Sequence, residues 1–446
     1  MDAARNRMVQ LAGRGWDQVK SPLYRNALFI MLTSVIGSGL GFFFWVIVSN
    51  KYSREDMGAA VTLFSTLGFL ATLGNLGIGI GLIRFMPETD DKSALVNVGL
   101  TVSGLVTLVL SLVFLLVLPL VLPTMAFVLQ EPLYIVTIVA SSVALGLAPI
   151  LDSAAIAVRR ADYQTWRITI FAFLKIPVAL GVVAFLRGRA GIFFSLAAAF
   201  GISVVVLGAF LLRRAVPGYR PRPDFRFHRI RPLLGFSLGN YVAGAIGAAG
   251  VLLPTALIYD ALGSAGPTNA AYFYVAIVVA SLLYIIPGAA FTSFYAEASH
   301  KDMDRRRGER QAILLSLGLL IPAIAVMWVF ADPMLRLFGN PAYADEAVTP
   351  LRILTFASIP VFLNGILGTR VRVRKRTIPL IISATIATAI TLGLGWILLQ
   401  NPDLGIDGLA YAYVLGQVAA TPYLYFEARG AYEAIPTEPL LGQPLE

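Results

Sequence analysis

Long uncharged stretches recur along the whole chain and set its hydrophobic pattern. Seven stretches contain no Asp, Glu, Lys or Arg, namely residues 26–50, 57–83, 93–130, 190–212, 232–259, 261–296 and 377–402. A bilayer core of about 30 Å requires about 20 apolar residues in helical form. Strands of a membrane barrel would instead show about 10 residues of alternating polarity. The pattern therefore predicts an all-α polytopic membrane protein.

These stretches and their polar borders predict twelve transmembrane helices. We place them near residues 26–50, 57–86, 94–118, 133–158, 166–186, 191–212, 233–260, 269–298, 311–331, 351–369, 378–400 and 408–427. The predicted organisation is an N-terminal segment that favours a short interfacial helix (1–25), an N-lobe (26–212), a basic linker (213–231), a C-lobe (232–428) and a tail (429–446).

Composition and charge give the predicted helices an orientation. Only 13% of the residues are charged and 57% are hydrophobic, whereas soluble domains carry about 25% charged residues. In the predicted topology, 28 of the 35 lysines and arginines lie on the side that holds both termini. The positive-inside rule makes that side cytoplasmic. The expected location is the plasma membrane of a prokaryote. The net charge of +10 is thus explained by the orientation of the helices in the membrane rather than by nucleic-acid binding. Binding of anionic lipid headgroups to the basic residues stays an open interpretation.

A glycine-rich segment, LGNLGIGIGLIRFMPE at residues 73–88, raises the question of a nucleotide site. A dinucleotide fingerprint needs a strand followed by G-x-G-x-x-G, but this segment reads G-x-G-x-G inside an apolar helix. Its small residues predict close helix packing and, secondarily, a less stiff helix. The chain has no cysteine, which excludes disulfides and thiol chemistry. No cofactor is expected.

The two halves of the chain repeat each other at an offset of about 212 residues. The segment AVRRADYQTWR (157–167) aligns with TRVRVRKRTIP (369–379), and GRAGIFFSLAAAFG (188–201) aligns with GIDGLAYAYVLGQ (405–417). Six helices per half give both halves the same orientation, related by an axis along the membrane normal. Transporters with such repeats hold the substrate between the lobes, near the middle of the membrane.

Charged residues inside the predicted spans are few, and such residues are functional candidates by default. Asp152 and Lys175 lie at similar depth on the fourth and fifth predicted helices. We expect them to face each other or one cavity. A structural ion pair that joins the two helices is an equally open interpretation.

Other polar residues occupy positions suited to gating or to lining a cavity. Arg84 and Glu297 are equivalent in the repeat and could meet at the cytoplasmic side. Lys51 or Arg54 could pair with Asp260 at the outer side. Alternatively, these long side chains extend to the membrane interface and have no role in gating. Three further residues could line the cavity or join helices by hydrogen bonds, namely Asn75, Asn240 and Tyr241.

The segment from NALFIMLTSVIGSGLGFFFW to LGNLGIGIGLIRFMPE (26–88) resembles the N-terminal signature of the polysaccharide-exporter (Wzx-type) flippases. AAIAVRRADYQTWRI and GIDGLAYAYVLGQV are similar to that family's basic turn after the fourth helix and to the start of its last helix. The resemblance extends over nearly the whole chain. The family belongs to the same superfamily as the multidrug MATE exporters and the lipid II flippases.

The resemblance implies alternating access by two MATE-like lobes that turn a polyprenyl-diphosphate-linked oligosaccharide toward the outer leaflet. It implies a cationic cavity, whose residues here would be Arg84, Lys175 and Arg25. Paired positive donors suit a diphosphate. Coupling to protons or sodium would fall to acidic residues, for which Asp152, Asp260 and Glu297 are the candidates. Other polysaccharide-assembly proteins are possible partners.

Three alternatives to the flippase stay open at this point. A MATE-like drug exporter would need an acidic cavity for cationic drugs, and the charge inside the spans is mixed and slightly basic. A polysaccharide polymerase or ligase would need a large outer loop with catalytic residues, which the chain does not offer. A gradient-independent scramblase or a scaffold also remains compatible with the sequence.

Overall fold

The computed structural model describes residues 22–182, 188–284, 305–374 and 376–429, and every regular element in these ranges is helical. The α-helices are α1 (Pro22–Ser49), α2 (Arg54–Asn75), α3 (Ile78–Phe85), α4 (Lys92–Val121), α5 (Pro132–Ala157), α6 (Ala161–Val182), α7 (Arg189–Ala215), α8 (Arg231–Leu252), α9 (Pro254–Ala261), α10 (Gly266–Ser281), α11 (Arg305–Val329), α12 (Ala331–Arg336), α13 (Pro341–Val373), α14 (Ile378–Leu399) and α15 (Gly405–Ala428). Both α7 and α14 contain a π-helical turn. In the described ranges, nine helical segments are long and apolar enough to cross a membrane. The predicted all-α polytopic membrane fold is confirmed.

The predicted spans match these helices, with differences in extent. The second span is divided into α2 and α3, and the seventh into α8 and α9. Helix α6 begins at Ala161, five residues earlier than predicted. The eighth span, near 269–298, is described only as far as Tyr284, so Glu297 lies outside the described residues.

The division of the second span has a backbone cause. Leu76 and Gly77 both adopt left-handed φ values of 52° and 74°, which end α2 and let the chain restart as α3. A Cβ at Gly77 would lie 2.7 Å from the Cβ of Tyr241 on α8. Glycine is therefore required here for both conformation and close approach. The predicted close packing is present. The sequence predicts a less stiff helix at this point, whereas in the structure the helix ends and a new one begins.

The division of the seventh span coincides with a proline. Pro254 is the first residue of α9, directly after Leu253. Proline lacks the backbone N–H that would continue the hydrogen-bond pattern of α8. The helix axis is consequently interrupted at a point that faces α2.

The same helix pairings occur in both halves of the chain. In the first half α1 packs on α6, α2 packs on α5, and α6 packs on α7. In the second half, α8 packs on α14, α10 packs on α13, and α14 packs on α15. These are the pairs that the repeat makes equivalent. The lobe boundaries at residues 212 and 232 stay a prediction, since α7 extends to Ala215 and α8 begins at Arg231.

We refer below to the end of the bundle that carries the start of α1 as the basic end, and to the other as the opposite end. The basic end includes the α5–α6 turn and residues 213–231. The opposite end includes the starts of α2, α10 and α13.

Candidate functional site

The most completely buried ion pair of the described residues joins α5 to α6. Arg167 donates from Nε to Asp152 Oδ1 at 2.7 Å and from Nη2 to Asp152 Oδ2 at 2.6 Å. Both side chains are buried, with only 6% and 10% of their surface exposed. Two parallel bonds of this kind form the strongest arginine–carboxylate geometry. Asp152 therefore pairs with Arg167, and the expected contact between Asp152 and Lys175 is not present.

The α5–α6 turn explains how Arg167 reaches this position. Arg159 adopts a left-handed φ of 60° and ends α5. The N–H of Arg160 then bonds to Ala155 O at 2.8 Å, and the N–H of Arg159 to Ile156 O at 2.9 Å. This pair of bonds is the Schellman arrangement that commonly ends helices. Because α6 starts directly afterwards, Arg167 lies nearly two turns inside it rather than in a loop.

A cavity of about 360 Å³ adjoins the buried pair. It is lined by α2, α5, α6 and α7 and includes Asp152, Arg167, Ser153 and Gln164. The Oε1 atom of Gln164 is buried and accepts no hydrogen bond from any described residue. The cavity thus presents a guanidinium, a carboxylate, an amide and the hydroxyls of Ser153 and Thr72 in a mostly apolar wall, which suits binding of a charged polar group.

Lys175 lies two turns further along α6 and is buried without a carboxylate. Its Nζ lies 4.7 Å from the ring centre of Phe44 and 5.0 Å from that of Phe171. Among the described residues it has no ion pair and no hydrogen bond. Aromatic faces attract a cation, more strongly when it is desolvated. Lys175 is thus a buried ammonium that carries no fixed counter-ion in the part of the chain that is described.

The two buried cations share an aromatic pair. Phe171 packs edge-on against Phe200, with ring centres 5.1 Å apart. The Arg167 guanidinium lies 5.5 Å from the centre of the Phe200 ring, and Lys175 contacts Phe171 as described above. This arrangement places two positive groups along one face of α6, with Arg167 in the lining of the cavity and Lys175 outside it.

The second half contains a counterpart of this site, whose lining includes two amides and one charged side chain, Arg372. A cavity of about 220 Å³ adjoins Asn364 and Gln417 between α8, α13, α14 and α15. Asn364 donates to Gln417 O at 2.9 Å and accepts from Thr421 Oγ1 at 2.9 Å. At the repeat offset of 212, Asn364 corresponds to Asp152. The equivalent position is therefore charged in the first half and neutral in the second.

Three polar residues predicted to line a cavity surround the break between α2 and α3. The hydroxyl of Tyr241 donates to Leu73 O at 2.6 Å. In an uninterrupted helix that carbonyl would accept from the N–H of residue 77, so Tyr241 replaces a bond lost at the break. Asn75 Nδ2 and Asn240 Oδ1 are buried and make no hydrogen bond with any described residue. Tyr241 thus joins the two halves, and both asparagines retain binding capacity.

Polar contacts and a close backbone approach join the halves at the opposite end. Arg54 Nη1 donates to Tyr272 OH at 2.5 Å, and Thr268 Oγ1 donates to Glu55 Oε1 at 3.1 Å. A Cβ at Gly58 would overlap the backbone carbonyl of Pro267. The halves are therefore in direct backbone contact beside two polar contacts. We call Arg54, Glu55, Thr268 and Tyr272 the opposite-end gate.

The predicted partners at this end are different from those observed. Asp260 accepts from Thr124 Oγ1 at 2.8 Å, while Lys51 is exposed and Arg54 bonds to Tyr272. A contact across the halves exists as expected, but neither Lys51 nor Arg54 pairs with Asp260. The first two turns of α10 supply a phenol to Arg54 and a hydroxyl to Glu55 instead.

The remaining predicted residues do not come together in one cavity. Arg84 pairs with Glu88, one turn further along, and is exposed at the basic end. Its predicted partner Glu297 lies outside the described residues. Arg25 belongs to α1, and only its backbone is described. The residues missed by sequence reasoning are Arg167 and Gln164, since Arg167 was counted with the basic turn. No group of described His, Asp or Glu residues could hold a metal ion.

Two family models match the chain. Residues 23–291 match the model described as polysaccharide biosynthesis protein, and residues 306–397 match the model described as MatE. A relative of known role is the succinoglycan biosynthesis transport protein ExoT of Rhizobium meliloti (strain 1021). It is 27% identical over 340 residues, which cover 72% of this chain and 63% of that protein. The chain therefore spans less than two thirds of that relative's length.

Solved structures with the same fold come from two groups of transporters. The lipid II flippase MurJ in an inward closed conformation has a TM-score of 0.66 at 14% identity, covering 90% of this chain and 87% of that one. A multidrug resistance MATE family transporter in an inward-facing conformation has a TM-score of 0.65 at 14% identity, covering 91% and 99%. These similarities confirm the predicted two-lobe, MATE-like architecture.

Proposed function

Because the chain belongs to the polysaccharide biosynthesis protein family, we propose that it is a flippase for a polyprenyl-diphosphate-linked oligosaccharide. It moves this substrate from the cytoplasmic to the outer leaflet by alternating access, for the synthesis of a surface polysaccharide. Its relatives are transporters and flippases rather than enzymes, and the predicted family resemblance is confirmed.

The buried Asp152–Arg167 pair beside its cavity is the observation that carries the proposal. The planar fork of a guanidinium matches the geometry of a phosphate group. In the described conformation Asp152 accepts from two of the five N–H groups of Arg167, those on Nε and Nη2. A diphosphate can bind this same edge of Arg167 only when Asp152 releases it, and protonation of Asp152 is the simplest way to do so. This makes Asp152 the coupling residue and Arg167 a substrate-binding residue.

Lys175 supplies the second positive group in this scheme. A diphosphate carries charge on both phosphorus groups, so one guanidinium leaves part of it unpaired. Lys175 lies on the same helix as Arg167, and both contact the Phe171–Phe200 pair. The cavity beside Asn364 and Gln417, which Arg372 also lines, suits hydroxyl-rich sugar units, since amides both donate and accept hydrogen bonds.

The opposite-end gate gives the scheme a direction. The gate holds the halves together at the end predicted to be the outer one, and we propose that substrate enters from the basic end, where α3 and the start of α8 would have to separate. Under the positive-inside rule the basic end is cytoplasmic, with both termini on that side of a prokaryotic plasma membrane. Further roles in binding are proposed for Asn75, Asn240 and Tyr241 near the break, and for Arg25 and Arg84 at the basic end. Lys51, Asp260 and Glu297 remain proposed gating or coupling residues, as does Arg54 of the gate.

A binding experiment with a matched pair of variants tests the proposal. We would measure binding of a purified polyprenyl-diphosphate sugar to the detergent-solubilised protein and to Asp152→Asn/Arg167→Gln. The control is Asp162→Asn/Arg160→Gln, because Arg160 and Asp162 form the same two-bond geometry at 2.8 and 2.7 Å in a more exposed position. We expect at least a tenfold loss of affinity for the buried double variant and little change for the control.

The main competing function is export of cationic drugs, which the MatE match at residues 306–397 favours. The same experiment with a cationic dye separates the two. Dye binding that survives in both double variants, with no binding of the lipid-linked sugar to the unchanged protein, would overturn the flippase proposal. Equal lipid binding by the two double variants would leave the flippase in place but remove Arg167 from its site.

A further inference from the structure

Residues 216–231, which we call the basic strap, connect α7 to α8 at the basic end. One set of its side chains is buried against the end of the first half, namely Val216, Tyr219, Asp224 and Ile230. The other set is exposed and consists of arginines and phenylalanines, namely Arg220, Arg222, Phe225, Arg226, Phe227 and Arg231. The strap is therefore an ordered, two-sided segment.

Hydrogen bonds to α4 fix the strap in place. Asn97 donates from Nδ2 to Arg220 O at 2.9 Å and accepts from the N–H of Arg222 at 3.4 Å. The N–H of Asp224 donates to Thr101 Oγ1 at 2.9 Å. With its backbone held by α4, the strap presents the arginines on either side of Pro221 outward.

The strap carries more positive charge than its neighbours balance. Asp224 pairs with Arg226, and the hydrogen bonds from that arginine lower the pKa of Asp224 to about 2. Asp91 pairs with Arg229 at 2.8 Å. Within the described ranges Arg220, Arg222 and Arg231 have no acidic partner. Three exposed guanidinium groups are thus available to an anion.

The level of the strap follows from the lipid-facing surface of α4. Exposed large apolar residues on this helix run from Leu105 to Val121, about 24 Å at 1.5 Å per residue. Thr101 precedes Leu105 by four residues, about 6 Å, toward the basic end. The strap therefore crosses α4 just outside the hydrocarbon region. Phe225 and Phe227, 62% and 47% exposed, lie next to this level.

We propose that the basic strap binds anionic phospholipid headgroups of the leaflet at the basic end. Arg220, Arg222 and Arg231 contact the headgroup phosphates, while Phe225 and Phe227 insert at the border of the acyl chains. Phenylalanines of interfacial segments are buried at this border, and basic residues next to it attract anionic lipid. Lipid is a better fit than an acidic protein because the strap crosses α4 where the lipid-facing apolar surface of that helix ends.

Retention of lipid by the full-length, detergent-solubilised protein tests this inference. We would count bound phosphatidylglycerol and phosphatidylcholine by native mass spectrometry, in the unchanged protein and in Arg220→Gln/Arg222→Gln. The control, Lys51→Gln/Arg336→Gln, removes the same charge from exposed positions at the opposite end. Each basic residue near an anionic surface contributes roughly fivefold to affinity, so we expect at least a tenfold loss of phosphatidylglycerol in the strap variant alone.

A second measurement reports the depth of the strap. Because the chain has no cysteine, Phe225→Cys accepts a single spin label without other changes. In nanodiscs that contain phosphatidylglycerol, we expect the label to be more accessible to oxygen than a label at the exposed Pro217→Cys. Equal accessibility of the two labels, equal loss of lipid in the control variant, or displacement of lipid by excess inorganic phosphate would each overturn the inference. None of these readouts depends on the flippase proposal.

Discussion

At the scale of single residues, Asp152 and Arg167 form a pair in which each removes the cost of burying the other. Loss of one partner leaves an unpaired buried charge, which costs about 3–5 kcal/mol, whereas replacing both is often nearly neutral. We expect Asp152→Asn to lower the unfolding temperature in detergent clearly, and Asp152→Asn/Arg167→Gln to recover most of the loss. At the more exposed Arg160–Asp162 pair, Asp162→Asn should cost no more than about 1 kcal/mol. Equal effects at the two pairs would contradict this reasoning.

At Lys175 we expect stability and substrate binding to change in opposite directions. Lys175→Met keeps the length of the side chain and its packing on Phe44 and Phe171 but removes a buried charge. We expect unchanged or higher thermal stability together with weaker binding of the lipid-linked sugar, by about tenfold or more. Arg336→Met, at an exposed position to which no role in transport is assigned, serves as the control for both readouts. Binding that is insensitive to Lys175→Met would remove this residue from the site.

The site residues could be predicted only in part, for a local reason. Asp152 and Lys175 stand out because they interrupt apolar segments, and both are indeed buried. Arg167 was assigned to a basic turn because the helix start was placed at residue 166. Asp162 offered a signal, since acidic residues are favoured in the first turn of a helix and α6 begins at Ala161. Whether Arg167 or Lys175 pairs with Asp152 then depends on the turn geometry at Arg159. The pattern of hydrophobic residues does not predict that geometry.

At the scale of helices, the break between α2 and α3 depends on Gly77. Alanine there would require a left-handed conformation that costs roughly 1–2 kcal/mol, and its Cβ would meet Tyr241. We expect Gly77→Ala to lower stability by about 2 kcal/mol or more, measured by thermal unfolding in detergent. Gly201→Ala on α7 is the matched control, since nothing lies within 4 Å of its added Cβ. It should be neutral or stabilising, and a comparable loss there would point to a general effect of the substitution.

The basic strap should hold its position over a wide pH range. The pKa of Asp224 falls to about 2 in the folded protein, below its ordinary value of 3.8, because Arg226 hydrogen-bonds to the carboxylate. Its stabilising effect is therefore fully present above pH 3.8 and is lost as pH falls toward 2. We expect Asp224→Asn to be less stable than the unchanged protein at pH 7, with a gap that narrows between pH 4 and pH 2. A gap that widens on acidification would contradict the assignment.

The helix pattern was more predictable than the helix interruptions. The seven charge-free runs, together with the polar borders of the other apolar segments, were sufficient to predict twelve spans. The left-handed Leu76 and the contact of Gly77 with α8 depend on a neighbour more than 150 residues away in the chain. Sequence patterns of small residues indicated close packing but not that one glycine would end a helix.

At the scale of the whole molecule, the opposite-end gate determines which end is accessible. Glu55 and Thr268 lie 3.1 Å apart between oxygen atoms, and the chain has no other cysteine to interfere. We expect Glu55→Cys/Thr268→Cys, joined by a short bifunctional thiol reagent, to stop flipping in proteoliposomes while substrate binding from the basic end persists. Either cysteine alone, treated with the same reagent, is the control. Continued flipping by the joined protein would show that these halves need not separate.

The two-lobe architecture was predictable because the repeat offset maps one half onto the other. The contacts between halves were not, since the repeat relates equivalent positions but does not tell which side chains meet. Asp260 was expected to meet a basic residue and instead accepts from Thr124, while Arg54 bonds to a phenol.

The buried ammonium of Lys175 also has an electrical consequence. Moving one elementary charge across a membrane at 100 mV involves about 2.3 kcal/mol. A potential that is negative at the basic end drives an anionic lipid toward the other leaflet and draws an empty, positively charged site back. The membrane potential would then favour both movements, the outward transfer of the lipid and the return of the empty site. A resting voltage alone would supply part of the free energy of export without any co-transported ion.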